Sequence, residues 1–124
     1  MSGECVLLVE DNEKNMKLLR DVLQATGYST LEATTGEHAI RLAASHLPAV
    51  VLMDVQLPGM NGIDALAQLR ENDETASIPV VALTAQAMHG DRERFLEAGF
   101  DSYLSKPVDL VELLRVVGEH CGRG

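Results

Sequence analysis

The stretch VVLMDVQLPGMNG, residues 50–62, decides the fold. Its first four residues, Val50 to Met53, are apolar without alternation, the pattern of a strand covered on both faces. They run straight into Asp54, and a turn follows that is built on Pro58, Gly59, Asn61 and Gly62. A carboxylate ending a deeply buried strand needs a reason, because an unpaired buried charge is costly.

Similar runs lie on either side. CVLLV (5–9), YSTLEA (28–33), AVVLM (49–53), IPVVALT (78–84) and DSYLS (101–105) read as five strands. The first, third and fourth are nearly continuous in Val, Leu and Ile, as central strands should be, and the other two are mixed enough to suit sheet edges. Amphipathic segments with recognisable ends fill the gaps. Asn12 caps a helix with Met16, Leu19, Val22 and Leu23 on one face, and Gly27 ends it. Thr34 and Glu37 form a capping-box pattern ahead of Ile40 and Ala43. Asn61 precedes a helix with Ile63, Leu66 and Leu69 at helical spacing. Asp91 starts a fourth helix, with Phe95 and Ala98 inside and Gly99 beyond its end. Asp109 and Glu112 make a second capping box, before Leu113, Leu114 and Val117.

This strict strand–helix alternation predicts an α/β fold with a parallel sheet and right-handed crossovers. Five strands are too few for an eight-stranded barrel, so the expectation is an open, doubly wound (βα)5 sheet. The matching strand order is 2-1-3-4-5, as in flavodoxin-like proteins. Residues 1–124 read as one domain without linker, repeat or low-complexity tract, and the end of the chain soon after the fifth helix leaves no room for an output domain.

The formal net charge of −9 disfavours direct DNA binding, which depends on Lys and Arg neutralising phosphates. No apolar run approaches the roughly 20 residues of a membrane span, and the N-terminus lacks signal-peptide layout, so a cytoplasmic protein is expected. Cys5 and Cys121 read as unpaired structural thiols, with no metal-type spacing between them.

Ligands of open α/β sheets bind outside the carboxyl ends of the strands. Here those ends carry Glu10-Asp11 on strand one, Asp54 on strand three, Thr84-Ala85 on strand four and Ser105-Lys106-Pro107 on strand five. Each alone has a bland explanation, as a helix lead-in or an ordinary turn. Together they do not. In the 2-1-3-4-5 order strands one and three are neighbours about 4.8 Å apart, which gathers Glu10, Asp11 and Asp54 around one small volume. Carboxylates so placed must protonate or find a cation. Hard oxygen ligands with open positions suit Mg²⁺, with Mn²⁺ a possible substitute. Lys106 starts about 10 Å from Asp54 at the backbone, a gap its side chain can largely cross. A cation, an ammonium, a hydroxyl and a carboxylate nucleophile make a phosphoryl-transfer site.

The motifs VEDN (9–12), VLMDVQLPGMNG (51–62), VVALTA (80–85) and YLSKP (103–107), in this order, resemble the receiver domain of bacterial two-component response regulators. The opening VEDNEKNMKLLRDVLQATGY (9–28) and AQAMHGD (85–91) are similar to single-domain regulators of the DivK type. The resemblance implies a role for each residue. Asp54 would accept a phosphoryl group from a histidine kinase or a histidine phosphotransfer protein. Asp11, Asp54 and the backbone carbonyl of Gln56 would ligate Mg²⁺, and Glu10 would act mainly through metal-bound water. Lys106 would pair with the phosphoryl oxygens, while Thr84 swings in to bond them, assisted by the N–H of Ala85. Tyr103 would be the switch aromatic, the Lys106–Pro107 bond would be cis, and Gln56 and Gln86 would occupy the positions that tune phosphoryl lifetime. The α4–β5–α5 face would meet protein partners, with Met88, His89, Arg92 and Tyr103 as candidates, in a monomer or a phosphorylation-dependent dimer.

The remaining polar residues carry less. His38, His46, His89 and His120 share no metal-ligand spacing and read as surface residues, and Arg92 and Arg94 read as a solvated face. Two rival functions stay open at this stage. A small Mg²⁺-dependent phosphatase would place a second acidic residue two positions after the nucleophile, where Gln56 stands, and would need a cap. A nucleotide or flavin module would show G-x-x-x-x-G-K-[ST] or G-x-G-x-x-G, and neither is present. The expectation is a signalling switch rather than an enzyme.

Overall fold

The computed structural model describes residues 4–85 and 91–121. In chain order the elements are β1 (Cys5–Val9), α1 (Glu13–Ala25), β2 (Ser29–Ala33), α2 (Gly36–His46), β3 (Val50–Asp54), α3 (Gly62–Glu71), β4 (Val80–Thr84), α4 (Asp91–Ala98), β5 (Ser102–Ser105) and α5 (Leu110–His120). The strands form one parallel sheet in the order β2-β1-β3-β4-β5.

Strand periodicity divides the core into two layers. Leu7, Val9, Val51, Met53, Val80 and Ala82 point to one face, where Ala39 and Ala43 of α2, Leu66 and Leu69 of α3, and Phe95 of α4 cover them. Val6, Leu8, Val50, Leu52, Val81 and Leu83 point to the other, against Met16, Leu19 and Leu23 of α1 and Leu113, Val116 and Val117 of α5. Most of these side chains are wholly buried, and each contributes roughly 1.5–3 kcal/mol. The continuous apolar runs of β1, β3 and β4 thus serve both layers, and they hold the strand ends rigidly.

Helix ends follow the expected chemistry with informative exceptions. Asn12, Asn61 and Asp109 cap α1, α3 and α5, their side chains accepting from the N–H groups of Asn15, Asp64, and both Val111 and Glu112. The cap of α2 is Thr35, accepting from His38 N, rather than Thr34. Glu112 pairs with Arg115 one turn on, so a capping box is not its main engagement. Ile63 is more than a third exposed and Ala98 is exposed, whereas Ala65 joins Leu66 and Leu69 in the core. A 3.6-residue repeat defines a stripe, and the stripe on α3 runs through Gly62, Ala65, Leu66 and Leu69, so that it passes through the residue before Ile63.

At the amino ends of the strands, Arg70 in the last turn of α3 ties three segments together. Its guanidinium donates to the carbonyls of Ala76, Ile78 and Gly99 and to the carboxylate of Asp101, at 3.0, 2.7, 3.1 and 2.9 Å.

Leu47 ends α2 in the left-handed region, with φ 48°, and its side chain is 54% exposed. That conformation costs a non-glycine residue about 1–2 kcal/mol, and exposed Leu recovers little of it by burial. Leu47→Gly is therefore expected to raise stability by roughly 0.5–1 kcal/mol after glycine's own entropic cost. Urea unfolding tests this, and a loss of stability would show that Leu47 packs usefully.

Candidate functional site

The strand termini bring the acidic residues together. β1 is held beside β2 through Glu10, whose N–H bonds Ala33 O at 3.0 Å, before the chain turns into α1. Glu10 is 1% exposed and Asp54 is buried, while Asp11 faces solvent. One carboxylate oxygen from each of the three lies within 4.8 Å of the others. Asp54 closes β3, and its Oδ1 accepts the N–H of Gln56 at 2.9 Å. Glu10 Oε2 accepts the N–H of Asn12 at 3.2 Å.

Lys106 crosses from the far side of the sheet. Its N–H bonds Thr84 O at 2.8 Å, which sets its backbone beside the buried end of β4. Its Nζ then lies 2.6 Å from Asp54 Oδ2 and 2.8 Å from Glu10 Oε1. The contact with Asp54 is a hydrogen bond, whereas the approach to Glu10 is close but unaligned. Among the described residues Glu10 Oε1 has no hydrogen-bond partner. Burial pushes the Glu10 carboxyl above the usual range; the Lys106 ammonium pulls it back, and the charge of Asp54 pushes it up again. For Lys106, burial pulls the pKa down, but the hydrogen bond to Asp54 and the close negative charge of Glu10 outweigh that and the net shift is upward.

The donor set fits a hard divalent cation. The three carboxylates supply oxygens around one point, and buried Glu10 Oε1 has the Lys106 ammonium 2.8 Å away but no aligned hydrogen bond. Lys106 is the counter-cation the protein itself supplies. Lys106→Met should lower stability by about 3 kcal/mol at neutral pH, because it leaves Glu10 and Asp54 buried without their cation. Millimolar Mg²⁺ should recover part of that loss in a thermal melt. An unchanged melting temperature would mean that the two carboxylates need no cation, being solvated or sharing a proton.

Other expected residues sit nearby in different ways. Thr84 is buried at the end of β4, followed by exposed Ala85. Gln56 is exposed just past Asp54. Tyr103, opposite Ala82 in the ladder, is half-buried with its ring 6.4 Å from that of Phe95. The Lys106–Pro107 bond is cis. Gln86, Met88 and His89 lie outside the described residues, as does the side chain of Arg92. Arg94 is exposed, its guanidinium 4.9 Å above the Phe95 ring. His120 is not a free surface residue: its Nε2 lies 3.1 Å from Ser102 Oγ.

One residue with structural control of the site reads in the sequence only as part of a turn. Gly62 is the first residue of α3, and its N–H bonds Val55 O at 2.9 Å. A Cβ there would sit 2.7 Å from both Asp54 O and Val55 Cα. The available signal was a glycine just after a helix cap, where better helix formers are normally preferred.

The family model for the response regulator receiver domain matches residues 6–118. The polar-differentiation response regulator DivK of Brucella anthropi is 43% identical over 117 residues, covering 94% of this chain and 95% of DivK. The receiver domain of sensor histidine kinase PA1611 from Pseudomonas aeruginosa PAO1, solved with a magnesium ion in its active-site cleft, superimposes with TM-score 0.90. It is 36% identical and covers 98% of this chain and 99% of that one. The receiver domain of Saccharomyces cerevisiae Ssk1, crystallised with the histidine phosphotransfer protein Ypd1, gives TM-score 0.88 at 30% identity, covering 98% and 90%. The acidic strand ends, the lysine that reaches them and this kinship agree: the chain belongs to the response regulator receiver domain family of two-component signalling and is DivK-like.

Proposed function

We propose that this chain works as a stand-alone, DivK-like response regulator that accepts a phosphoryl group on Asp54 from a histidine kinase or a histidine phosphotransfer protein. The observation that carries the reading is Lys106 Nζ at 2.6 Å from Asp54 Oδ2, on a carboxylate that is buried but lies at the open end of the sheet. A carboxylate oxygen of Asp54 attacks the phosphorus, the P–N bond of the donor phosphohistidine breaks, and the imidazole leaves with the electron pair and is reprotonated. Lys106 moves from the carboxylate to the new phosphoryl oxygens, and the Thr84 hydroxyl and Ala85 N–H supply further donors. Glu10, Asp11, Asp54 and the Gln56 carbonyl would hold Mg²⁺, directly or through water, which when bound neutralises charge on the phosphoryl oxygens. Mn²⁺ has the same ligand preference.

The protein acts as a switch rather than an enzyme with its own substrate. Added charge at Asp54 biases the positions of Thr84 and Tyr103 and so alters the α4–β5–α5 face that meets a downstream protein. The net charge of −9 supports a protein target over DNA. Among the described residues no helix is long and apolar enough to cross a membrane. The phosphohistidine donor is made where ATP is available, which places the proposed role in the cytoplasm.

The test is chemical. Incubation with Mg²⁺ and acetyl phosphate should add one base-labile phosphoryl group, mapped by peptide mass to Asp54 and suppressed by EDTA. Label on a serine, threonine or histidine, or labelling indifferent to EDTA, would rule the reading out.

A further inference from the structure

A second cleft, of about 600 Å³, runs along β5 between Leu96 of α4 and one face of α5. Glu10, Asp11, Asp54 and Lys106 take no part in its lining. Leu96, Tyr103, Pro107 and Val116 give it apolar surface, and Leu96 is 40% exposed. Its charge is one-sided. Asp101, Asp109, Glu112 and Glu119 line it, and among the described residues Arg115 is its single basic side chain. Asp101 is already held by Arg70, and Asp109 is the cap of α5. Arg115 bridges Glu112 and Glu119, with Nη2 and Nη1 at 2.5 and 2.6 Å from their oxygens, so one cation serves two carboxylates. All three side chains are about half exposed, and exposed pairs of this kind are weak and exchangeable.

We infer that this cleft receives a basic, amphipathic segment of the downstream protein. An apolar side chain seats against Leu96, Tyr103 and Val116, and a lysine or arginine takes Glu112 or Glu119 from Arg115. The inference rests on the reading that the α4–β5–α5 face is the output surface, and it specifies the partner's chemistry. A second copy of this chain is a poor occupant, because it carries a net charge of −9 and would approach an acidic wall. An acidic peptide or a nucleic acid meets the same repulsion. Tyr103 lines the cleft and also packs near Phe95, so a change in its ring position would reshape the apolar seat.

The probe is a synthetic helical peptide with alternating Leu and Lys faces, compared with its Leu/Glu counterpart, titrated against the full chain while amide chemical shifts are followed. The basic peptide should perturb β5 and α5 around Tyr103, Glu112 and Glu119. The double variant Glu112→Gln/Glu119→Gln should weaken binding about ten-fold. Glu71→Gln/Asp73→Asn removes as much charge from exposed positions elsewhere and should weaken it less than about two-fold. Arg115→Gln should tighten binding about three-fold by freeing both glutamates, whereas Lys17→Gln should not. Shifts centred on Asp11 and Glu13, equal losses in the two double variants, weaker binding by Arg115→Gln, or equal binding of the acidic peptide would each overturn the inference. Repeating the titration after acetyl phosphate treatment separates the two readings. Binding in the cleft that ignores phosphorylation keeps the partner chemistry and removes the output role. No binding in either state removes the partner chemistry, while acylphosphate formation at Asp54 stands or falls by its own assay.

Discussion

Asp54→Asn is expected to abolish labelling by acetyl phosphate while leaving the folded state within about 1 kcal/mol of the parent. The two halves of that result have separate causes. An amide oxygen is a poor nucleophile and would leave no acylphosphate to form, so the chemical loss is complete. The structural cost is small because the contacts redistribute. Asn Oδ1 still accepts the N–H of Gln56, as Asp54 Oδ1 does. Lys106 keeps the ion pair with Glu10 at 2.8 Å. The new amide N–H₂ takes the place of Oδ2, the acceptor for Lys106, so the ammonium withdraws from it towards Glu10 Oε1, which no longer faces the Asp54 charge. Relief of repulsion therefore offsets the loss of the Lys106–Asp54 bond. Intact mass and urea unfolding on one sample decide it. Undiminished labelling would remove Asp54 as the acceptor. A loss of several kcal/mol would mean instead that the Asp54–Lys106 bond holds the sheet end together.

Set beside Lys106→Met, this prediction separates charge balance from chemistry. Both variants break the same 2.6 Å contact. Only the lysine variant leaves two buried carboxylates facing each other without a cation, so only it should unfold more easily. If both destabilise equally, the bond itself matters more than the balance of charge.

The central strands were legible because apolar runs without polar alternation have few other homes, and β1, β3 and β4 are buried along nearly their whole length. The same runs placed Glu10, Asp54 and Thr84 at the site, since a rigid strand carries whatever follows it to a predictable point. Finer choices depended on neighbours that the sequence does not display. Thr34 and Thr35 are both good caps, and the choice of Thr35 follows from where β2 leaves the sheet at Ala33. Ile63 has the hydrophobicity for the core, but the rotation of α3 turns Ala65 and Leu66 inward and leaves it about a third exposed. Spacing could show that Lys106 reaches towards Asp54, but not that it also meets Glu10, because that depends on which rotamer the long side chain takes between two strands.

Gly62 is the sharpest case, since helix propensity and packing predict opposite signs for its replacement. In an open helix Gly→Ala gains about 1 kcal/mol, and a β-branched residue still improves slightly on glycine. Here any Cβ sits 2.7 Å from Asp54 O and Val55 Cα, both backbone atoms that no rotamer change can move away. Either α3 lifts, breaking the Gly62 N–H to Val55 O bond, or the end of β3 shifts and carries Asp54 with it. Packing should win clearly. Gly62→Ala is expected to destabilise by about 2 kcal/mol and Gly62→Val by about 4 kcal/mol. Acetyl phosphate labelling of Asp54 should fall by more than about ten-fold in Gly62→Val, because displacement of the nucleophile by even an ångström is costly. Labelling rates measured well below the melting temperature separate displacement from unfolding. A folded Gly62→Val protein that labels at the parental rate would show that the approach of α3 to β3 is not what positions Asp54.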